Sequence, residues 1–170
     1  MILGMSLSTF VTVHVIISLI GIAAGIMVMF GLLNSKSMPG LTAIFLLFTI
    51  LTSATGFLIP PLVSEKLLPS HMVGALSLVL LAIACIALYG MKLSGAWRWI
   101  YAVTALLSLY LNVFVLVIQG FLKVPALHAL APGEPPGGPV FAVVQLIVLV
   151  FFVIVIIGAV RRFRPMPVFA

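Results

Sequence analysis

The chain has 170 residues, 65% hydrophobic and 6% charged, with a formal net charge of +6 and a mean hydropathy of +1.47. A soluble core of this length could not hide so much apolar surface, so most of these side chains require lipid as their solvent. The basic residues flank apolar stretches, where Lys and Arg orient a membrane chain and meet anionic headgroups, which argues against a nucleic-acid partner.

A bilayer core of about 30 Å takes about 20 apolar residues per helix. Five segments meet that length: Leu7 to Leu33, Leu41 to Val63, His71 to Gly90, Trp97 to Leu122, and Val140 to Val160. The first does not read as a signal peptide, because no Lys or Arg precedes it and no small-x-small site closes it, so it is expected to remain as a span. Asn34, Pro39 and Gly40 punctuate the turn into the second segment, Pro60 and Pro61 end it, and Pro69 starts the third. Lys92 to Gly95 separates the third from the fourth. The last connection, 123–139, contains Pro132, Gly133, Pro135, Pro136, Gly137, Gly138 and Pro139 and cannot be regular helix throughout; within it Val124 to Leu130 reads as an interfacial turn begun by Pro125.

Charge falls unevenly on the two sides of this plan. Lys36, Lys92, Arg98, Arg161, Arg162 and Arg164 share one side, whereas Lys66 and Lys123 share the other with Glu65 and Glu134. The positive-inside rule then predicts an all-α polytopic membrane helix bundle, one integral membrane domain over 1–170. It has five transmembrane helices, an outside N-terminus, an outer loop at 123–139 and a cytoplasmic basic tail at 161–170.

Polar and small residues recur at helical spacing. His14, Ser18, Gly21 and Gly25 share a face of the first span; Thr49, Ser53, Gly56 and Pro60 share one on the second; Tyr101, Thr104, Ser108, Asn112 and Gln119 form the stripe of the fourth. Small residues at such spacing let membrane helices approach closely, and that is the expected role of Gly21 and Gly25 and of the Thr49, Ser53 and Gly56 face. The fifth span carries Gln145 near its outer end and is otherwise apolar all round, so it is expected to be the most lipid-exposed.

In this topology all three histidines, His14, His71 and His128, lie toward the outer side, together with Asn112, Gln119 and Gln145. His14 is within a span, where an ionisable group usually faces the bundle and has a partner. It could tie the first helix to Asn112 or Gln119. It could equally be a ligand, since neutral imidazole suits copper, zinc or haem iron, and His14, His71 and His128 would be the metal ligands. Glu65 or Glu134 could join His71 and His128, with Met1, Met5 and Met72 as softer donors for copper. A third option is a quinone-like or lipid headgroup ligand held by His14, His71, Asn112 and Gln119 between apolar walls.

Cys85 is the lone cysteine, so there is no intramolecular disulfide and no thiol pair for exchange. No His-Glu-x-x-His, no Gly-x-Ser-x-Gly and no intramembrane carboxylate pair points to hydrolysis. The segments around His14 and Gly21, Ser53 to Gly56, His71 to Gly74, Trp97 to Trp99, and Leu111 through Gln119 to Pro132 together resemble small bacterial multi-pass inner-membrane proteins, a family of unknown function. That resemblance implies a bacterial inner-membrane location and no particular chemistry. The expected function is a non-enzymatic bundle with an outward-facing His/Asn/Gln pocket for a metal, haem or quinone-like ligand. The rivals are an accessory subunit docked on a membrane partner or on a second copy, and a small oxidoreductase that passes electrons through the ligand.

Overall fold

A computed structural model describes residues 2–59 and 69–165 of the chain. The helices, in chain order, are α1 (Leu7–Leu33), α2 (Pro39–Gly56), α3 (Pro69–Cys85), α4 (Trp97–Lys123), α5 (Pro125–Leu130) and α6 (Pro139–Arg162), and α3 continues as a π-helical turn over Ile86–Gly90. Five helices are long and apolar enough to cross a membrane.

Local chemistry sets most of the boundaries. Ser6 caps α1 by accepting from the Thr9 N–H at 3.2 Å. At its other end Lys36 N–H donates to Gly31 O at 2.8 Å and Ser35 N–H to Leu32 O at 3.2 Å. These two bonds make a Schellman closure with Ser35, at φ 56, in the left-handed position where glycine is commoner. Proline opens α2, α3, α5 and α6, where its missing N–H costs no helical bond. The π turn ends α3 with Met91 N–H on Ile86 O at 2.8 Å.

Four of the five expected spans lie close to the helices found. The second differs: α2 ends at Gly56, and the expected continuation through Pro60 to Val63 lies outside the described residues, as do Glu65 and Lys66. The segment after Lys123, expected as a turn, forms the short helix α5.

α4 is the hub, packing against α1, α2, α3, α5 and α6. Its buried face, Tyr101, Ala102, Ala105, Leu106 and Leu109, meets Leu81, Ala84 and Ala87 of the third helix with Val28 and Phe45 in one apolar core. Alanines on both sides let these backbones come close. α6 buries Phe152, Val155 and Ala159 and leaves Leu146, Ile147 and Ile154 exposed, as expected for the most peripheral span.

The ends of α1, α3 and α6 meet the starts of α2 and α4. Arg98 donates through Nη1 to Phe163 O, and Arg164 N–H donates to Ser35 Oγ at 2.8 Å. Lys36, Lys92, Arg98, Arg161, Arg162 and Arg164 therefore gather at one end of the bundle, while Lys123 lies at the other.

Candidate functional site

α1 and α2 form an antiparallel hairpin joined by a short turn, so their register is fixed. Gly21 faces Thr49, Gly25 faces Phe45, and His14 faces Gly56; in each pair the residue numbers add to 70. This register carries His14 to the last turn of α2, at the end of the bundle opposite the basic cluster.

There His14 Nδ1 lies 2.7 Å from Thr55 Oγ1. The Thr55 hydroxyl donates its single proton to Leu51 O at 2.6 Å. With that proton on Leu51 O, Thr55 Oγ1 is the acceptor and the His14 proton is assigned to Nδ1. In the neutral ring Nε2 is left as a lone-pair acceptor, and it has no hydrogen-bond partner among the described residues.

His14 lines a cavity of about 80 Å³ bounded by α1, α2, α3 and α4. Ser53, Gly56 and Phe57 form one wall, His71, Gly74 and Ser77 a second, and Leu111, Asn112 and Val115 a third. The cavity's inner edge is closed by Ser53 Oγ, which donates to Ser77 Oγ at 3.1 Å and joins α2 to α3. The His71 ring, in the first turn of α3, stacks on Phe57 with centroids 5.6 Å apart and planes at 15°. Gly74 makes room for that stack, since a Cβ there would stand 3.3 Å from the Phe57 ring.

Asn112 Nδ2 is buried and has no hydrogen-bond partner among the described residues. Burying an amide donor without a partner costs about 1 to 3 kcal/mol, so such a donor beside a polar cavity is the exceptional feature of this region. Asn112 and His14, whose Nδ2 and Nε2 have no partner among the described residues, thus both border this space. A cavity that admits benzene is about 150 Å³. At about 80 Å³ this one holds a few waters or the polar edge of a larger molecule, not a whole haem or aromatic ring.

The sequence-predicted residues divide. His14, His71 and Asn112 come together. Gln119 does not: it is exposed and lies outside the cavity lining, because the helices that cover the stripe at Ser108 and Asn112 do not cover it further out. His128 sits on α5 with its Nδ1 donating to Phe121 O at 3.3 Å. Among the described residues no three His, Cys, Asp or Glu side chains are grouped to hold a metal ion, so His14, His71 and His128 do not converge on one centre. Met72 is 70% exposed, and Met1 and Glu65 lie outside the described residues. Gln145 is turned to α4, donating from Nε2 to Phe114 O at 3.2 Å, with Oε1 buried and unpartnered.

Thr55 is the neighbour of His14 that residue type alone did not reveal. Asn112 and Gln119 are the stronger hydrogen-bonding side chains, yet the hairpin register places Thr55 and Gly56 beside His14. Comparison with protein-family models, curated proteins and solved structures finds no match, so the reading of this pocket rests on its own geometry.

Proposed function

We propose that the chain is a multi-pass protein of the bacterial inner membrane that binds the polar head of a small amphiphile in the cavity between α1, α2, α3 and α4. Its N-terminus lies outside and its basic end in the cytoplasm, the orientation favoured by six of eight Lys and Arg residues at that end. The cavity then opens toward the outer leaflet. The ligand class is quinol-like: only the polar edge of its head enters, a hydroxyl donating to His14 Nε2 and Asn112 turning its amide to a neighbouring oxygen, while the ring and tail stay in lipid. Binding, rather than catalysis, is the role.

The observation that carries this reading is the buried Asn112 Nδ2, without a partner among the described residues, at a cavity that His14 also lines. Among the described residues no three His, Cys, Asp or Glu side chains are grouped for a metal, and the cavity is too small to enclose haem. An organic ligand with one acceptor and one donor uses both groups.

The test is extraction and chromatography of lipids from the untagged chain purified in mild detergent, with elemental analysis of the same sample. A near-stoichiometric quinone or quinol that is lost in His14→Leu and Asn112→Leu is the expected result. The His14→Leu change should lower stability by only about 1 kcal/mol, the size of one interhelical hydrogen bond in a membrane, so loss of ligand would not reflect unfolding. Stoichiometric copper, zinc or iron would reassign the pocket to coordination. Neither ligand nor metal would leave an accessory subunit as the better reading.

A further inference from the structure

We infer that the opposite, basic end of the bundle holds a second site, for the phosphate of an anionic phospholipid. A cavity of about 120 Å³ lies there between the turn joining α1 to α2, the π-helical turn after α3, the start of α4 and the tail after α6. Lys36 and Ser37 stand at its rim, and Thr42, Tyr89 and Tyr101 line it.

Its walls are built from specific contacts. Phe163 lines the cavity, is 3% exposed, and packs against Tyr101 with ring centroids 6.1 Å apart. The tail that carries Phe163 is held by the Arg98 bond to its carbonyl and by the Arg164 N–H bond to Ser35 Oγ. The π-helical turn brings Leu88 and Tyr89 to the opposite wall, and π turns occur often at functional sites.

Charge identifies the ligand class. Lys36 is one of six cations at this end, and both acidic residues of the chain, Glu65 and Glu134, belong to connections at the other end. Among the described residues the one carboxylate side chain, Glu134, lies in the connection between α5 and α6, away from Lys36. Lys36 at the rim with the hydroxyls of Ser37 and Tyr89 suits a phosphate, and basic pockets between helices at the cytoplasmic face take anionic headgroups. The floor, Val28 and Leu32, is apolar and buried in the core, so the cavity takes the headgroup while the acyl chains stay in the surrounding lipid. The cavity exceeds by several times the share of liquid volume of one water, about 30 Å³, and so has room for a phosphate but not for a whole lipid.

Native mass spectrometry of the full chain, released from mild detergent after mixing with phosphatidylglycerol or phosphatidylcholine of equal chain length, tests this. Phosphatidylglycerol should be retained preferentially. Lys36→Gln should lower its retention about five-fold, the effect of one basic residue near an anionic headgroup. Lys36→Arg should keep the preference, and Arg161→Gln, an exposed cation outside the cavity, should change retention less than Lys36→Gln. Equal retention of the two lipids would overturn the proposal, as would equal losses in Lys36→Gln and Arg161→Gln, which would indicate a diffuse basic surface. Displacement of the lipid by millimolar inorganic phosphate would show a site for free phosphate instead. Lys36 is exposed, so its variants should fold, and unchanged helical circular dichroism checks that they do.

Discussion

The two halves of the α1–α2 hairpin use glycine for opposite purposes. Near the basic end Gly25 faces Phe45 and Leu109, and a Cβ there would lie 2.6 Å from Leu109 and 2.9 Å from the Phe45 ring. Near the other end Gly56 faces His14, and a Cβ would stand 3.6 Å from the imidazole, an ordinary contact. One glycine lets neighbouring side chains fill the helix interface; the other borders a space that is not filled. The same pair of helices is thus close-packed at one end and opened around polar groups at the other, and small residues in a membrane span do not by themselves distinguish packing from a pocket.

Gly25→Ala should break the close-packed half. The Leu109 methyl can turn aside, but Phe45 is 1% exposed and its ring has little room to move. Overpacking of this kind costs about 1 to 3 kcal/mol, so the melting temperature in detergent should fall clearly. A variant as stable as the parent would mean that the α1–α2 interface is looser than the contacts imply.

Thr49→Val should have a smaller effect of opposite sign. Thr49 is fully buried against Gly21 and its hydroxyl has no hydrogen-bond partner among the described residues. Valine keeps the shape and removes the stranded hydroxyl, which should stabilise the chain by about 1 kcal/mol. A loss of stability would show that this hydroxyl has a partner, such as a buried water, and that the polar region reaches further along the hairpin than the cavity does.

How far these differences were legible in the sequence depends on the length scale of each feature. Hydropathy over about 20 residues is a strong signal, and α1, with its Leu7 and Leu33 ends, is where the pattern placed it. The end of α2 was not legible, since Leu58 and Ile59 continue the apolar run past Gly56, where the helix stops. Helical periodicity gave Asn112 and Gln119 the same angular position on α4, and the angle is right; what it omits is how far neighbouring helices extend along the axis, which leaves Asn112 in the cavity and Gln119 exposed. The partner of His14 needed the hairpin register, which the short connection between Leu33 and Pro39 constrains but does not set to a single residue. The cavity at the basic end depends on the tail returning to α4 and on a π turn, neither of which has a periodic signature.

Gly56→Ala gives the smallest change in stability and the sharpest reading of the comparison. Gly56 is the last residue of α2, its Cβ would meet His14 at ordinary van der Waals distance, and alanine is the better helix former by at most about 1 kcal/mol. The melting temperature should therefore stay level or rise slightly. Yet the added methyl enters a cavity of about 80 Å³ beside the imidazole, so a ligand that needs this space should be displaced although the fold is intact. Retention of a co-purified amphiphile, measured alongside the melting curve, distinguishes the two roles: loss of ligand at unchanged stability makes Gly56 a residue that keeps the pocket open, whereas unchanged retention makes it a helix end and moves the ligand, if one is bound, toward His71 and Asn112.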